Sequence, residues 1–285
     1  MAEFIDTAPA FDEAVAQLRA QPALALDTET DAFFAYRPCV CLLQFSFPGR
    51  DLLFDPLAKI DLAPLGELLA DPNREVVLHA AENDVIQLHH QFGWRIGKLY
   101  DTQVACFVLG LPPFSLAGVL DTHFGVKLNK SQQRSDWSRR PLSPEQITYA
   151  AADTNHLLEL AADLQGRAAD AGRTEEIASE CARVAAREWK PEPFDKEGFR
   201  RISGAKELDD KSLRILRELY LLRNEASEHR NRAAYRIASD AALMALRGHY
   251  YDLYRQQSLQ ESTDRLSGAS SMSPGAIPAP GAEPV

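Results

Sequence analysis

The sequence predicts a mixed α/β sheet domain followed by a small all-helical domain, and three observations carry that reading. Early in the chain the apolar runs ALALDTET, CVCLLQFSF and DLLF follow one another, with PGR as a turn between the last two, so they read as an antiparallel meander. Next, EVVLHA reads as a short buried strand leading into a helix from about Glu82 to Phe92. Finally, composition changes near EWKPEPFDKEG, with two prolines and mixed charges, and beyond it apolar residues recur at three and four spacing. With 285 residues, 45% of them hydrophobic, the chain has room for one large domain and one small one.

Each element adds a constraint. ALALDTET is an apolar run that turns polar as it emerges at the sheet edge, and strand alternation places Asp27 and Glu29 on one face. Cys39 and Cys41 also lie two apart in a strand-like run. With Cys106 and Cys181 they sit in apolar stretches, without a disulfide framework or a Cys-x-x-Cys pair, so core thiols are expected, with no disulfide partner and no zinc. A helix opens near Asp61. Asp84 falls in the first turn of the Glu82–Phe92 helix, aimed back at the strand's carboxyl end, where open α/β sheets gather their ligand sites. The competing explanation is a first-turn acid favoured by the helix dipole, and Glu82 competes for the same role.

DTQVACFVLG reads as a helix begun by Asp101 and stopped by Gly110, and FSLAGVLDTHFG as another. SPEQITYAAADTNHLLELAADLQGRA reads as one long helix, with Ser143 as N-cap, Pro144 at the first position and Glu145 in the first turn. Tyr149 and Asp153, at i and i+4, share a face of it. A helical arm is expected from about Thr174 to Trp189. The domain boundaries expected are 1–190, a linker at 191–205, a helical domain at 206–272 capped by Asp209 or Asp210 and again by Ser239 or Asp240, and a disordered Ser/Pro/Ala/Gly tail at 273–285.

A formal charge of −10 is the wrong sign for a protein whose whole surface binds nucleic acid. The excess is uneven: residues 1–190 hold 17 Lys+Arg against 27 Asp+Glu, whereas residues 191–285 hold 14 of each. Against that acidic background, residues 121–140 carry Lys127, Lys130, Arg134, Arg139 and Arg140 with only two acids, which suggests a local phosphate contact. No apolar run approaches the roughly 20 residues of a membrane span. MAEFIDTAPAF has neither the basic start nor the apolar core of a signal peptide, so a cytoplasmic location is expected.

Asp27, Glu29, Asp84 and Asp153 brought to one point would repel one another, or hold protons, unless divalent cations neutralise them. Two such cations can activate a water and stabilise a leaving oxygen in phosphodiester hydrolysis. The D-x-E of LALDTET, the single Asp of LHAAENDV and the Y-x-x-x-D of QITYAAAD, in that order, resemble the 3′-5′ exonucleases of the DEDD superfamily, and ribonuclease D in particular. The tyrosine four residues before the last Asp marks the DEDDy branch, and SDWSRRPLSPEQITYAAADTNHLLEL is especially similar. Each short motif is weak by itself; the three in order are specific.

The resemblance implies a ribonuclease H-like fold, a mixed five- to six-stranded sheet flanked by helices. It implies that Asp27, Glu29, Asp84 and Asp153 ligate two Mg²⁺ or Mn²⁺ ions, and that Tyr149 orients the attacking water. The expected substrates are RNA 3′ ends, tRNA precursors among them, with nucleoside 5′-monophosphates as products. LRELYLLRNEAS and SDAAL resemble the HRDC domain; ribonuclease D proteins commonly carry two copies, and here there is room for one.

Substrate contacts are expected from Thr30 and His79, next to the motifs, and from Phe33 and Tyr36, where an aromatic ring could stack on a terminal base. The basic residues of 121–140 are added to these. Against them stand a strand-ending threonine, a satisfied core histidine, and arginines that are solvated or held in ion pairs; His89 and His90 read as ordinary helix residues. Two other functions stay open: a 3′-5′ DNA exonuclease, since nothing visibly reads a 2′-hydroxyl, and a catalytically silent RNA- or helicase-binding module, which predicts a missing motif acid where none is missing.

Overall fold

The structure, a computed structural model, describes residues 2–252. It divides into two compact units, Met1–Glu192 and Pro193–Val285. Residues 253–272 of the expected helical domain and the expected tail at 273–285 lie outside the described residues.

The first unit is built on six strands: β1 (Glu3–Ile5), β2 (Ala23–Thr30), β3 (Val40–Phe47), β4 (Arg50–Phe54), β5 (Glu75–Leu78) and β6 (Leu99–Asp101), in the spatial order β1-β4-β3-β2-β5-β6. The meander β2-β3-β4 is antiparallel. Its second hairpin closes at Phe47 opposite Arg50, and Gly49 at φ 81° supplies the left-handed residue that the two-residue Pro48-Gly49 turn requires. β1, β5 and β6 join in parallel. β1 and β6 have three residues each, too few for alternation to announce them, and the sequence reading omits them.

Eight helices complete this unit: α1 (Ala8–Arg19), α2 (Ala63–Leu69), α3 (Glu82–Phe92), α4 (Thr102–Leu109), α5 (Leu116–Phe124), α6 (Pro144–Thr154), α7 (Leu157–Asp170) and α8 (Thr174–Ala185). α6 packs on β2, β3 and β4, and α7 on β2 and β5. The long helix expected from Pro144 onward is in fact two. α6 ends at Thr154, whose buried hydroxyl bonds Ser46 Oγ of β3 at 2.6 Å, and the chain restarts as α7 after His156. The main core gathers Leu24, Leu26, Phe45, Phe54, Leu160 and Leu164, all fully buried. Phe54 receives Phe11 and Phe45 edge-on at centroid distances of 5.7 and 5.5 Å. No helix among the described residues is long and apolar enough to cross a membrane.

In the second unit, residues 198–205 differ from the expected linker. They include 3₁₀ turns at Gly198–Arg201 and from Ala205, and Phe199, Ile202 and Ala205 are buried with Leu216 and Leu243. Between the two turns the chain is extended at Ile202 and left-handed at Gly204, and all three side chains enter one apolar cluster. α9 (Asp210–Arg230) is capped by Asp209, which accepts from the Ser212 N–H at 2.7 Å, and ends at Asn231 with φ 44°. α10 (Ala234–Ile237) follows, and Ser239 then accepts from the Ala242 N–H at the start of a helix described over 240–252.

Candidate active site

The site lies at the carboxyl end of β2. Asp27 and Glu29 project there from the strand and Asp153 from the last turn of α6, and one carboxylate oxygen of each lies within 4.8 Å of the others. β3 locks this arrangement. Gln44, directly opposite Asp27 in the register, is fully buried; with its amide oriented to satisfy both partners, its nitrogen donates to Asp27 Oδ2 at 3.2 Å and to the Ala150 carbonyl of α6 at 2.9 Å. One amide therefore joins β3, β2 and α6. The signal for Gln44 was a polar residue, one of two with Ser46, in an otherwise apolar strand.

α6 is placed by its own first turn. Ser143 Oγ accepts from the Gln146 N–H at 3.2 Å while Gln146 Oε1 accepts from the Ser143 N–H at 2.9 Å, a capping box, and Gln146 Nε2 reaches Ser135 Oγ at 2.8 Å. The basic segment before α6 is thus tied to the helix. Tyr149, one turn before Asp153 on the same helix, packs against buried Trp137 with ring centroids 6.0 Å apart.

Asp84 arrives differently. It sits in the first turn of α3, and its Oδ1 accepts from the Thr28 hydroxyl at 2.5 Å, so it meets β2 through the residue between the two strand acids. The turn that delivers it is held by Asp101. This buried carboxylate accepts from the N–H groups of Ala80 at 3.0 Å and Ala81 at 2.8 Å and also caps α4 through Gln103 at 2.8 Å. Ala80 is held at φ 59°, an unusual value for a residue with a Cβ, and these bonds offset its cost.

Burial raises Asp27 well above its ordinary range, reinforced by the charges of Asp84, Asp153 and Glu29. Burial and then Asp153 and Asp84 push Glu29 up to about 9. Asp84 and Asp153 are raised by burial to about 6, with the Thr28 and Tyr149 hydrogen bonds opposing that rise. Tyr149 is raised too, by burial and then by Asp153, so its phenol keeps its proton at neutral pH. Acids this close resist joint ionisation, and their donor atoms are all hard oxygens. Both properties fit divalent Mg²⁺ or Mn²⁺.

A pH dependence follows. A carboxyl raised in the folded state binds more protons folded than unfolded. It therefore favours the fold below the ordinary values of 3.8 and 4.5, and the advantage is lost as pH climbs through about 6 for Asp84 and Asp153 and about 9 for Glu29. In EDTA the melting temperature is expected to fall as pH rises through this window. Mg²⁺ or Mn²⁺ is expected to restore more stability at the alkaline end, because cations and protons compete for the same oxygens. Thermal unfolding across pH, with and without metal, checks this; a metal response independent of pH would contradict it.

The expected substrate contacts separate into two groups. Arg134 and Phe33 come together, the guanidinium carbon 5.6 Å from the ring centroid, and Phe33 is 45% exposed. Lys127 and Tyr149 line a cleft of about 380 Å³ beside α6, with Asn129, Glu145 and Thr148. Lys130 is exposed, and so is Arg139, which pairs with Asp136 at 3.2 Å. Thr30 closes β2 opposite Val40, and Tyr36 is half-buried in the following loop.

Two of the expected substrate contacts have their polar atoms engaged within the fold. Arg140 is committed to the fold: its Nε and Nη2 bind the Asp55 carboxylate at 2.7 and 2.6 Å, and its remaining donors reach the carbonyls of Cys41, Trp137 and Arg139 at 2.6 to 2.8 Å. All five guanidinium N–H groups are occupied, which leaves none for a phosphate. His79 is likewise taken, with Nδ1 2.9 Å from Thr102 Oγ1 and Nε2 3.0 Å from the Phe114 carbonyl, and burial lowers its pKa.

The family described as 3'-5' exonuclease (DNA_pol_A_exo1) matches residues 2–168. Ribonuclease D of Gluconacetobacter diazotrophicus is 33% identical over 235 residues, 81% of this chain and 59% of that protein, so the chain spans about six-tenths of its relative's length. The catalytic core of RRP6 from Trypanosoma brucei superposes with a TM-score of 0.81 at 27% identity, covering 86% of this chain and 69% of that one. Escherichia coli RNase D, titled an exoribonuclease involved in structured RNA processing, superposes at 0.64 and 31%, covering 87% and 66%. Brucella melitensis NrnC with bound Mg²⁺ superposes at 0.54 and 25%, covering 59% and 83%. With three acids converging beside a tyrosine on a six-stranded mixed sheet, and a family match across most of that unit, this chain belongs to the 3′-5′ exonuclease family.

Proposed function

We propose that this chain is a cytoplasmic 3′-5′ exoribonuclease that removes nucleotides singly from RNA 3′ ends as 5′-monophosphates, with tRNA precursors among its substrates. The observation that carries this reading is the convergence of Asp27, Glu29 and Asp153 within 4.8 Å, with Tyr149 one helical turn before Asp153 on α6. These three acids would hold two divalent cations, with Asp84 completing the set. When bound, such cations supply charge neutralisation, an activated water and a stabilised leaving oxygen. The relation to an NrnC structure with bound Mg²⁺ supports the choice of metal.

The chain's own groups do the rest. Tyr149, protonated at neutral pH, would hydrogen-bond and orient the water; it is not the base. Gln44 and Thr28 hold Asp27 and Asp84 in register, so the acids need no reorganisation when the substrate arrives. The cleft beside Tyr149 is of a size that suits a nucleotide, with Lys127 positioned for a phosphate. Phe33, carrying Arg134 over its ring, offers a stacking platform. Relatives named ribonuclease D and the RRP6 core support RNA as the polymer. The unit from Pro193 is read as a single HRDC-like domain that adds RNA surface.

The test uses labelled RNA and DNA oligomers of one sequence with Mg²⁺, Mn²⁺ or EDTA. The expected result is an RNA ladder shortened one nucleotide at a time, release of 5′-monophosphates, and no turnover in EDTA. Faster decay of DNA would make the chain a DNA exonuclease. Binding without turnover in every metal would make it a silent module.

A further inference from the structure

We propose that Asp31, Cys39 and Cys41 form a second metal site, for a thiophilic divalent cation such as Zn²⁺, at the base of the loop that follows β2. The loop folds back on itself there: the Asp31 N–H donates to the Cys39 carbonyl at 3.3 Å, and the Cys39 N–H donates to Asp31 Oδ1 at 2.8 Å. The two Sγ atoms are 3.7 Å apart. Two thiolates each about 2.3 Å from a tetrahedral zinc stand about 3.8 Å apart, so this pair is already at chelating separation. An Asp31 carboxylate oxygen and both sulfurs lie within 4.8 Å of one another. That is a three-ligand set with a fourth position for solvent.

Its chemistry differs from that of the acid trio. Soft sulfur selects zinc, cadmium or copper(I), whereas the oxygens of Asp27, Glu29 and Asp153 suit magnesium and manganese. The site is sheltered and still reachable, because Cys41 is fully buried, Asp31 is 8% exposed and Cys39 is only half-buried. The basic group nearby, Arg140, is neutralised by Asp55 and touches Cys41 only at its carbonyl, so it leaves the sulfur side clear. The sequence shows Cys39 and Cys41 sharing a strand face; Asp31, eight residues before Cys39, joins them only through the loop. Zinc here would fasten that loop, which carries Phe33, to β3 two residues beyond Glu29.

The full chain, reduced and saturated with Mg²⁺, is titrated with Cd²⁺ and followed by thiolate-to-metal charge-transfer absorption. One Cd²⁺ per chain is expected to give the band. Cys39→Ser or Cys41→Ser is expected to abolish it, while Cys106→Ser/Cys181→Ser keeps it in full. Asp31→Asn is expected to weaken affinity by at least the roughly 10–100-fold that loss of an outer-shell partner costs. No band in the native protein, or an unchanged band in Cys39→Ser/Cys41→Ser, overturns the site. A second readout needs no variant: Zn²⁺ is expected to slow alkylation of Cys39 about tenfold or more, because a ligated thiolate is no longer a free nucleophile. Equal labelling with and without Zn²⁺ overturns the proposal as well.

Discussion

Replacing Asp27 or Asp153 by asparagine is expected to slow mononucleotide release on the order of 10³-fold or more, about 4 kcal/mol of lost transition-state stabilisation. Each change removes one of three converging carboxylate oxygens and leaves a neutral amide of nearly the same shape. The fold should hold. Because burial and neighbouring carboxylates raise Asp27 so far, ionising it in the metal-free protein opposes folding, and the amide removes that opposition. Asp27→Asn is therefore expected to melt no lower than the native chain in EDTA at neutral to alkaline pH, with the difference shrinking as pH falls. Single-turnover digestion of 3′-labelled RNA and thermal unfolding at two pH values would check both parts. Native activity in either variant would remove these acids from the reaction.

The site was legible where a local rule controls it. Asp27 and Glu29 could be paired because strand side chains alternate, and Tyr149 with Asp153 because i and i+4 share a helix face. Asp84 was placed in the correct turn, yet its partner Thr28 stands 56 residues earlier, and Asp101, which holds that turn, first reads as a simple helix cap. Gln44 matters only because the β2-β3 register sets it opposite Asp27. No local rule connects residues that distant.

The fold shows the same division. The hairpin at Pro48-Gly49 and the capping box at Ser143 are short-range devices, visible as written. The break between α6 and α7 falls inside an Ala- and Leu-rich run whose helical periodicity continues through it, and it coincides with a tertiary bond from Thr154 to Ser46. Phe199, Ile202 and Ala205 sit among prolines and charges that read as linker, and only their packing with Leu216 and Leu243 makes them core.

Arg139 and Arg140 show most clearly what adjacency hides, and they give the second large expected effect. Arg140→Ala is expected to destabilise the first unit by about 3–5 kcal/mol, because it strands the buried Asp55 carboxylate without its bidentate partner. It also leaves the carbonyls of Cys41 and Trp137 without this donor, and it removes the tie between the basic segment and β3. Arg140→Lys keeps the charge but cannot reproduce the five-donor fork, so an intermediate loss is expected. Arg139 is the control. Its side chain is 81% exposed and holds only a surface pair with Asp136, so Arg139→Ala is expected to change stability by less than about 1 kcal/mol. Arg139→Ala should instead weaken RNA binding and flatten its salt dependence. Denaturant unfolding beside RNA titrations at two salt concentrations separates the pair. Weaker RNA binding in Arg140→Ala at full stability would return that arginine to the phosphate contacts and leave Asp55 without its structural role.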